Sequence, residues 1–467
     1  MKLWIYWKNA IQQLRPAFSR TISFMWFMIC AAGFTVRTDF LGVTSIIRAL
    51  GLHNKYYTNL LNFFHSRSVK IDDLTALWTR IVLQLLGSHV VRVNGRIVLI
   101  GDGIKVAKQG KKMPAVKSLH QESESNSKPE YIMGHSFQAI SVLIKAADSH
   151  FAVPLAARIH EGLVFSNRSL RTLLDKMIDL ISTLKIHGLF YFVSDNYYAS
   201  RKIVKPLIKK NNHIVSRVRT NGVAWEPAPI PSQKRRGRRK KYGKKIRLQD
   251  HFKDSTAWLE MDSPVYGEKS VTIRYKVIDA LWKPAEGFVR FVLVHHPVRG
   301  QCILMTTDLT LEAETIIRLY GLRFKIEHAF KQAIHVIGTF GYHFWMKAMT
   351  PIKRRGGDQY MHHKSDQYRE AIKRKMNAYH VYVMTGVVAH GLMHYLATCH
   401  SKLVWNSFGS WLRTIRENVP PSERVVAMAL RNRLPEFLVD KEKTDNLAKF
   451  IVERQDPNML GSVGIAA

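Results

Sequence analysis

The chain has 467 residues, with 71 Lys+Arg against 35 Asp+Glu for a formal charge of +36, and 46% of its residues are apolar. At ~150 residues per domain this length allows about three domains, and the apolar fraction excludes wholesale disorder. So large a positive surplus repels itself and calls for a polyanionic partner, nucleic acid ahead of an anionic membrane surface.

The three cysteines, Cys30, Cys302 and Cys399, lie far apart and none belongs to a C-x-x-C or Cys/His spacing. This argues against a disulfide framework and a conventional zinc site, and suits a reducing cytosol. The apolar run Ile22–Val36 contains Ser23, Gly33 and Thr35 and is 15 residues long, short of the ~20 that span a bilayer. It reads as a buried helix, and no membrane is expected as a partner.

Residues 1–90 are expected to be helical. Within them Val43–Ser66 carries apolar residues at helical spacing, interrupted at Gly51-Leu52, the sequence form of a helix-turn-helix or of an ordinary helical hairpin. In the first case Lys55, Tyr56, Tyr57, Thr58 and Asn59 would open the helix that reaches DNA. From Arg96 the texture changes. The run "RIVLIGDGIKVAK" predicts a strand ending at Gly-Asp-Gly. Phe137–Asp148 and Phe151–His160 predict two more strands around a Ser149-His150 turn. An amphipathic helix (Ser169–Ile186), a buried strand (Leu189–Asp195), a basic helix (Ser200–Asn211) and a strand (His213–Arg219) follow. Three strands in a meander followed by crossovers predict an α/β fold, a mixed sheet with helices on its faces.

Pro227, Pro229 and Pro231 then break regular structure, and Lys234–Arg247 places ten basic residues in fourteen without an acid. Period-2 stretches at Ala257–Met261, Val271–Ala280, Phe288–His295 and Gln301–Thr306 make residues 222–307 a β-rich insert. One helix is expected from Thr310, as its N-cap, to Ile334. A basic loop follows at Ile352–His363. A long helix (Ser365–Leu396) and further helices fill residues 351–467.

Asp102 and Asp195 each follow an apolar strand. An ionised carboxylate there costs several kcal/mol unless an arginine, a helix terminus or a metal compensates it. Either one alone reads equally well as a turn cap. Glu327 shares a helix face with Tyr320, Arg323 and Lys331, spaced 3, 4 and 4, and with Phe324 and Phe330 on its flanks expected to pack on a sheet. The plain alternative is an exposed Arg–Glu pair worth ~0.3–0.5 kcal/mol. Three carboxylates with no reactive cysteine, phosphate loop or Gly-x-Ser-x-Gly elbow point to hard, oxygen-loving ions such as Mg²⁺. Two such ions can cut a phosphodiester.

Asp102 after a first strand, Asp195 after a fourth and Glu327 in Tyr-x-x-Arg-x-x-x-Glu resemble the DDE triad of bacterial insertion-sequence transposases. The subgroup resembled is the one with the Tyr-Arg-Glu-Lys signature. The resemblance covers residues 95–350 and implies a ribonuclease-H-like catalytic domain at residues 91–350, interrupted by the β-rich insert and flanked by a helical DNA-binding domain (1–90) and a helical C-terminal region (351–467). It implies a cut-and-paste transposase holding two Mg²⁺, or Mn²⁺ in their place, on Asp102, Asp195 and Glu327. Double-stranded DNA would be the partner, two chains would meet in a synaptic complex, and the protein would work at the bacterial nucleoid in the cytoplasm. DNA contacts are expected from Tyr320, Arg323 and Lys331, and from Lys234, Arg235, Arg236, Arg238, Arg239, Lys240, Lys241, Lys244, Lys245 and Arg247, the last ten as backbone binders. Arg323 could instead serve only to hold Glu327. The signature lysine is missing, because Ile334 stands seven residues after Glu327. Two rival readings are a non-catalytic DNA-binding protein and a structure-specific nuclease without joining activity.

Overall fold

The computed structural model describes residues 2–121, 129–230, 237, 239–254, 256–411, 414–416, 418–439 and 446–458. Its N-terminal part is helical: α1 (Lys2–Gln12), α2 (Thr21–Val36), α3 (Val43–Leu50), α4 (Tyr57–Phe64) and α5 (Ile71–Leu85). The apolar run has no polar face, and α2 is accordingly buried on all sides from Trp26 to Val36. At its end Arg37 is buried and donates to the carbonyls of Ile337, Gly338 and Gly42, to Ser45 and to Tyr382. Five acceptors, three of them at least 300 residues away, satisfy a cation that burial would otherwise penalise. No helix among the described residues is long and apolar enough to cross a membrane.

The two helices α3 and α4 flank Gly51, whose φ of +62° suits a residue without a Cβ. Lys55, Tyr57, Thr58 and Asn59 are exposed. The turn itself is covered: His53 N–H donates to the Arg454 carbonyl, and Asp456 N–H to that of Gly51.

The sheet begins with β1 (Arg96–Ala107), β2 (Tyr131–Ala146) and β3 (Ser149–Ile159). The turn between the last two is Ala147-Asp148, with Ala147 at φ +49°, so Ser149 and His150 belong to the strand and pair with Ala146 and Lys145, not to the turn as expected. After α6 (Leu173–Thr183), started by a Thr172/Asp175 capping box, come β4 (Phe190–Ser194), α7 (Arg201–Lys209) and β5 (His213–Val218). The strand order is β3-β2-β1-β4-β5, with β1, β4 and β5 parallel and β2 antiparallel. This is the ribonuclease-H-like mixed sheet.

The insert contains β6 (Val223–Pro227), β7 (Tyr242–Arg247), β8 (Leu259–Asp262), β9 (Thr272–Trp282), β10 (Gly287–His296) and β11 (Gly300–Thr306). It is continuous with the core: β11 pairs antiparallel with β5, and β10, β9, β6 and β7 extend the same sheet outward. Two of its strands fall where proline and charge argued against regular structure. Pro227 is tolerated as the last residue of β6, and β7 runs through the basic segment with Lys244, Lys245 and Arg247 exposed.

The expected helix over Thr310–Ile334 is two helices, α8 (Ala313–Leu322) and α9 (Lys325–Gln332). Thr310 is not the N-cap: its N–H and hydroxyl both bond Asp308, and Glu312 holds the cap position. The C-terminal α10 (Asp366–Cys399), α11 (Ser401–Phe408), α12 (Glu423–Val439) and α13 (Asn446–Val452) complete the chain. Ser365 caps α10 by accepting from Tyr368 N–H. From Val381 to His394 α10 is buried without a break, packed against α2, α5, α12 and β3. Helices from the two ends of the chain therefore pack together against one face of the sheet.

Candidate active site

The parallel pairing of β1 with β4 sets Ile97 opposite Phe190 and Ile100 opposite Val193. Continued two residues, the same register brings Asp102 beside Asp195. β1 does not stop there, as the sequence suggested; it runs on to Ala107 paired only with β2, so Asp102 stands where the parallel pairing ends. Gly101 is required by packing, since a Cβ there would lie 2.3 Å from the Phe192 ring. Gly103 N–H donates to Asp102 Oδ1 at 2.8 Å. Asp195 caps the short 3₁₀ turn Asn196–Tyr198, accepting from Tyr197 N–H at 3.1 Å, and its carbonyl accepts from the Ser216 hydroxyl at 2.7 Å.

Glu327 arrives from α9. The break between α8 and α9 falls at Arg323 and Phe324, where the hydrogen bonding tightens to three-residue steps. Arg323 Nη1 meets Asp102 Oδ2 at 2.7 Å and Nη2 meets Glu327 Oε1 at 3.0 Å, so one guanidinium joins two carboxylates far apart in the chain. The Asp102 and Arg323 side chains are 17% and 18% exposed, and Glu327 is 42% exposed. Burial pushes the Asp102 carboxyl up to about 6; Arg323 opposes that, and the negative charges of Asp195 and Glu327 add to it. The three acids thus act on one another, and Arg323 offsets part of the charge of Asp102 and Glu327. Asp102, Asp195 and Glu327 do not have one oxygen each within 4.8 Å of the other two, a spacing met among the described residues by a different cluster.

Tyr320 is half-buried, its ring 6.0 Å from the Arg323 guanidinium, and Lys331 is exposed in the last turn of α9. Phe330 packs between the two cores, whereas Phe324 is 42% exposed rather than packed on a sheet, because the break rotates it outward. Ile334 is partly buried against the core. Tyr198, which no sequence pattern singled out, lies buried beside both aspartates; burial raises its phenol well above the ordinary value, and Asp102 and Asp195 add to the rise.

Of the basic run, Lys234, Arg235, Arg236 and Arg238 lie outside the described residues. Arg239, Lys240, Lys241, Lys244, Lys245 and Arg247 are exposed, with the Lys241 ammonium donating to the Glu286 carbonyl. The insert tryptophans mostly serve packing: Trp282 is buried edge-on to Phe291, and Trp225 lies under the Lys283 ammonium, 4.4 Å from its ring.

Carboxylates at the end of parallel pairing on such a sheet are an arrangement suited to metal-dependent cutting of phosphodiesters. The chain matches the DDE superfamily endonucleases over residues 13–283, more than half of its length, and belongs to that family. The match contains Asp102 and Asp195 and ends before Glu327. Among solved structures the chain is similar to a piggyBac transposase in a synaptic complex with hairpin DNA, at 11% identity and a TM-score of 0.34 over 93% of this chain and 76% of that one. No curated protein sequence matches it.

Proposed function

We propose that this endonuclease is a DNA transposase of the bacterial insertion-sequence type, which binds the ends of its element, cuts them and joins them to target DNA. What supports this reading is that Arg323 joins Asp102 to Glu327, with Asp195 near enough to raise the Asp102 carboxyl, in a chain of charge +36. Their all-oxygen donor set fits two Mg²⁺, with Mn²⁺ as a substitute. Bound there, such ions supply an activated water or hydroxyl and stabilise the leaving oxygen.

The remaining roles fall to the chain itself. Arg323 orients both Asp102 and Glu327; its two terminal nitrogens are engaged by carboxylates, which favours this role over a phosphate contact. Tyr320 and Lys331 border the carboxylates along the path a DNA strand would take. Exposed cations of β7 bind the phosphate backbone without reading sequence. Two chains hold two ends in one complex at the nucleoid.

The test uses the full chain with a plasmid carrying the element and its own flanking DNA. Mg²⁺-dependent cutting at the element boundaries, followed by joining, is expected. Loss of both in Asp195→Asn and Glu327→Gln, with end binding retained, supports the triad. Cutting that persists in these variants overturns it. Cutting without joining identifies a nuclease, and binding without cutting a regulator.

A further inference from the structure

A second cluster lies away from the carboxylate site, between α10 and α12. His390 and His394 are four residues apart on α10 and so share one face, their rings stacked with centroids 4.9 Å apart. Glu423, the first residue of α12, faces them. Both imidazole Nε2 atoms lie 3.4 Å from the same carboxylate oxygen, Glu423 Oε1. The His390 and His394 side chains are 1% and 6% exposed, and that of Glu423 is 13% exposed. His394 Nε2 is buried and makes no hydrogen bond.

These distances have a simple reading. Direct N–H···O bonds to a carboxylate run near ~2.7–2.9 Å, and 3.4 Å is loose for a buried pair that gains from closing up. For a tetrahedral ion with ligands at ~2.0–2.1 Å, neighbouring ligand atoms stand ~3.3–3.4 Å apart. Two edges of such a tetrahedron are therefore already present, and all three ligand atoms lie within 4.8 Å of one another. Two imidazoles and one carboxylate suit a borderline cation, whereas Mg²⁺ and Ca²⁺ prefer oxygen alone. Two histidines at i and i+4 are a spacing helices use to hold zinc.

We propose that His390, His394 and Glu423 bind one Zn²⁺ per chain, with water as the fourth ligand, and that the ion fastens α12 to α10. The His394 ring also packs on Phe151 of β3, with centroids 5.9 Å apart. The ion thus ties the C-terminal helices to the helix that backs the sheet. It is independent of the proposed transposase chemistry and of the ions expected at Asp102.

The test starts from full-length, untagged protein purified without chelator. About one zinc per chain is expected by elemental analysis, unchanged in Asp102→Asn and Asp195→Asn. Cobalt exchanged into the site should show the intense visible bands of a tetrahedral ion. Chelation should lower the thermal midpoint, and Zn²⁺ but not Mg²⁺ should restore it. His394→Ala should lose the zinc and His394→Cys, which supplies another ligand, should keep it. Wild-type protein with only trace zinc and no cobalt bands when cobalt is supplied overturns the proposal; that measurement stands even if His394→Ala fails to fold.

Discussion

Asp102, Asp195 and Glu327 gather at the edge of a sheet, all oxygen, with an arginine threaded between two of them and Glu327 partly open to solvent. His390, His394 and Glu423 sit between two helices, richer in nitrogen, nearly closed to solvent and already at ligand spacing. The contrast follows from what each must admit. Under the proposed function the first receives a DNA strand and so cannot be sealed, and Arg323 offsets part of its negative charge. The proposed zinc site, which would only join helices, would gain from burial, because a desolvated ion binds its ligands more tightly. The first is assembled from three distant segments of chain, the second from one helix face and one helix start.

The largest expected effect lies in the open site. Asp195→Asn should lower cutting by at least about three orders of magnitude, as removal of a metal-bearing group does, and leave zinc content unchanged. A parallel loss of zinc would merge the two sites into one folding defect and erase the contrast.

Arg323→Lys comes next. A lysine ammonium can reach one carboxylate but not hold both in a planar fork. The Mg²⁺ concentration needed for half-maximal cutting should rise about tenfold, a change of ~1.4 kcal/mol, with end affinity unaltered. Weakened end binding at an unchanged Mg²⁺ requirement would assign Arg323 to phosphate instead.

A smaller effect concerns stability without metal. The Asp102 carboxyl rises from an ordinary 3.8 to about 6 in the fold, so the native state holds the proton more tightly than the unfolded chain. Stability therefore falls as pH rises from about 4 to about 6, and the fall is complete above that. Relative to wild type, Asp102→Asn should gain up to about 3 kcal/mol between about pH 4 and about pH 7.5. Denaturant melts in chelator at the two pH values measure it. A flat difference would mean that Arg323 fully neutralises Asp102.

The smallest effect is in the basic strand. Replacing Lys244, Lys245 and Arg247 with Gln should reduce the log–log salt slope of DNA binding by up to ~0.9 for each phosphate no longer neutralised, equally for all sequences. An unchanged slope would leave β7 free in solvent.

Much of the carboxylate site is legible from local pattern. An apolar run ending in Gly-Asp-Gly, another ending in Ser-Asp, and a helical spacing through Glu327 each lie within a few residues of chain. The histidine pair is equally local, since His390 and His394 are one turn apart, yet two histidines on a buried helix face carry no signature by themselves and the cysteine spacings point away from zinc. What gives the pair meaning is Glu423, 33 residues beyond His390, and no periodicity connects the two.

The elements that depart from local pattern share a cause. Pro227 and the Lys/Arg run argue against strands by propensity, but β6 and β7 form because an extending sheet offers their backbones hydrogen-bond partners. The apolar period through Thr310–Ile334 is helical throughout, yet the chain bends at Arg323, where one side chain spans two carboxylates. The Gly51 turn has the sequence of a helix-turn-helix, while its cover comes from residues 454–456.

Sequence alone gave the net charge of +36, and it marked most strands and helices of the core and the three acids proposed as a triad, because these patterns depend on residues close enough along the chain to share a face or a turn. Tertiary structure alone decided that Asp102 lies beside Asp195, that Arg323 joins Asp102 to Glu327, that the insert continues the sheet, and that helices from both chain ends form one layer. Those outcomes depend on which distant edges and faces satisfy one another's hydrogen bonds and apolar surface, a choice made across the whole folded chain.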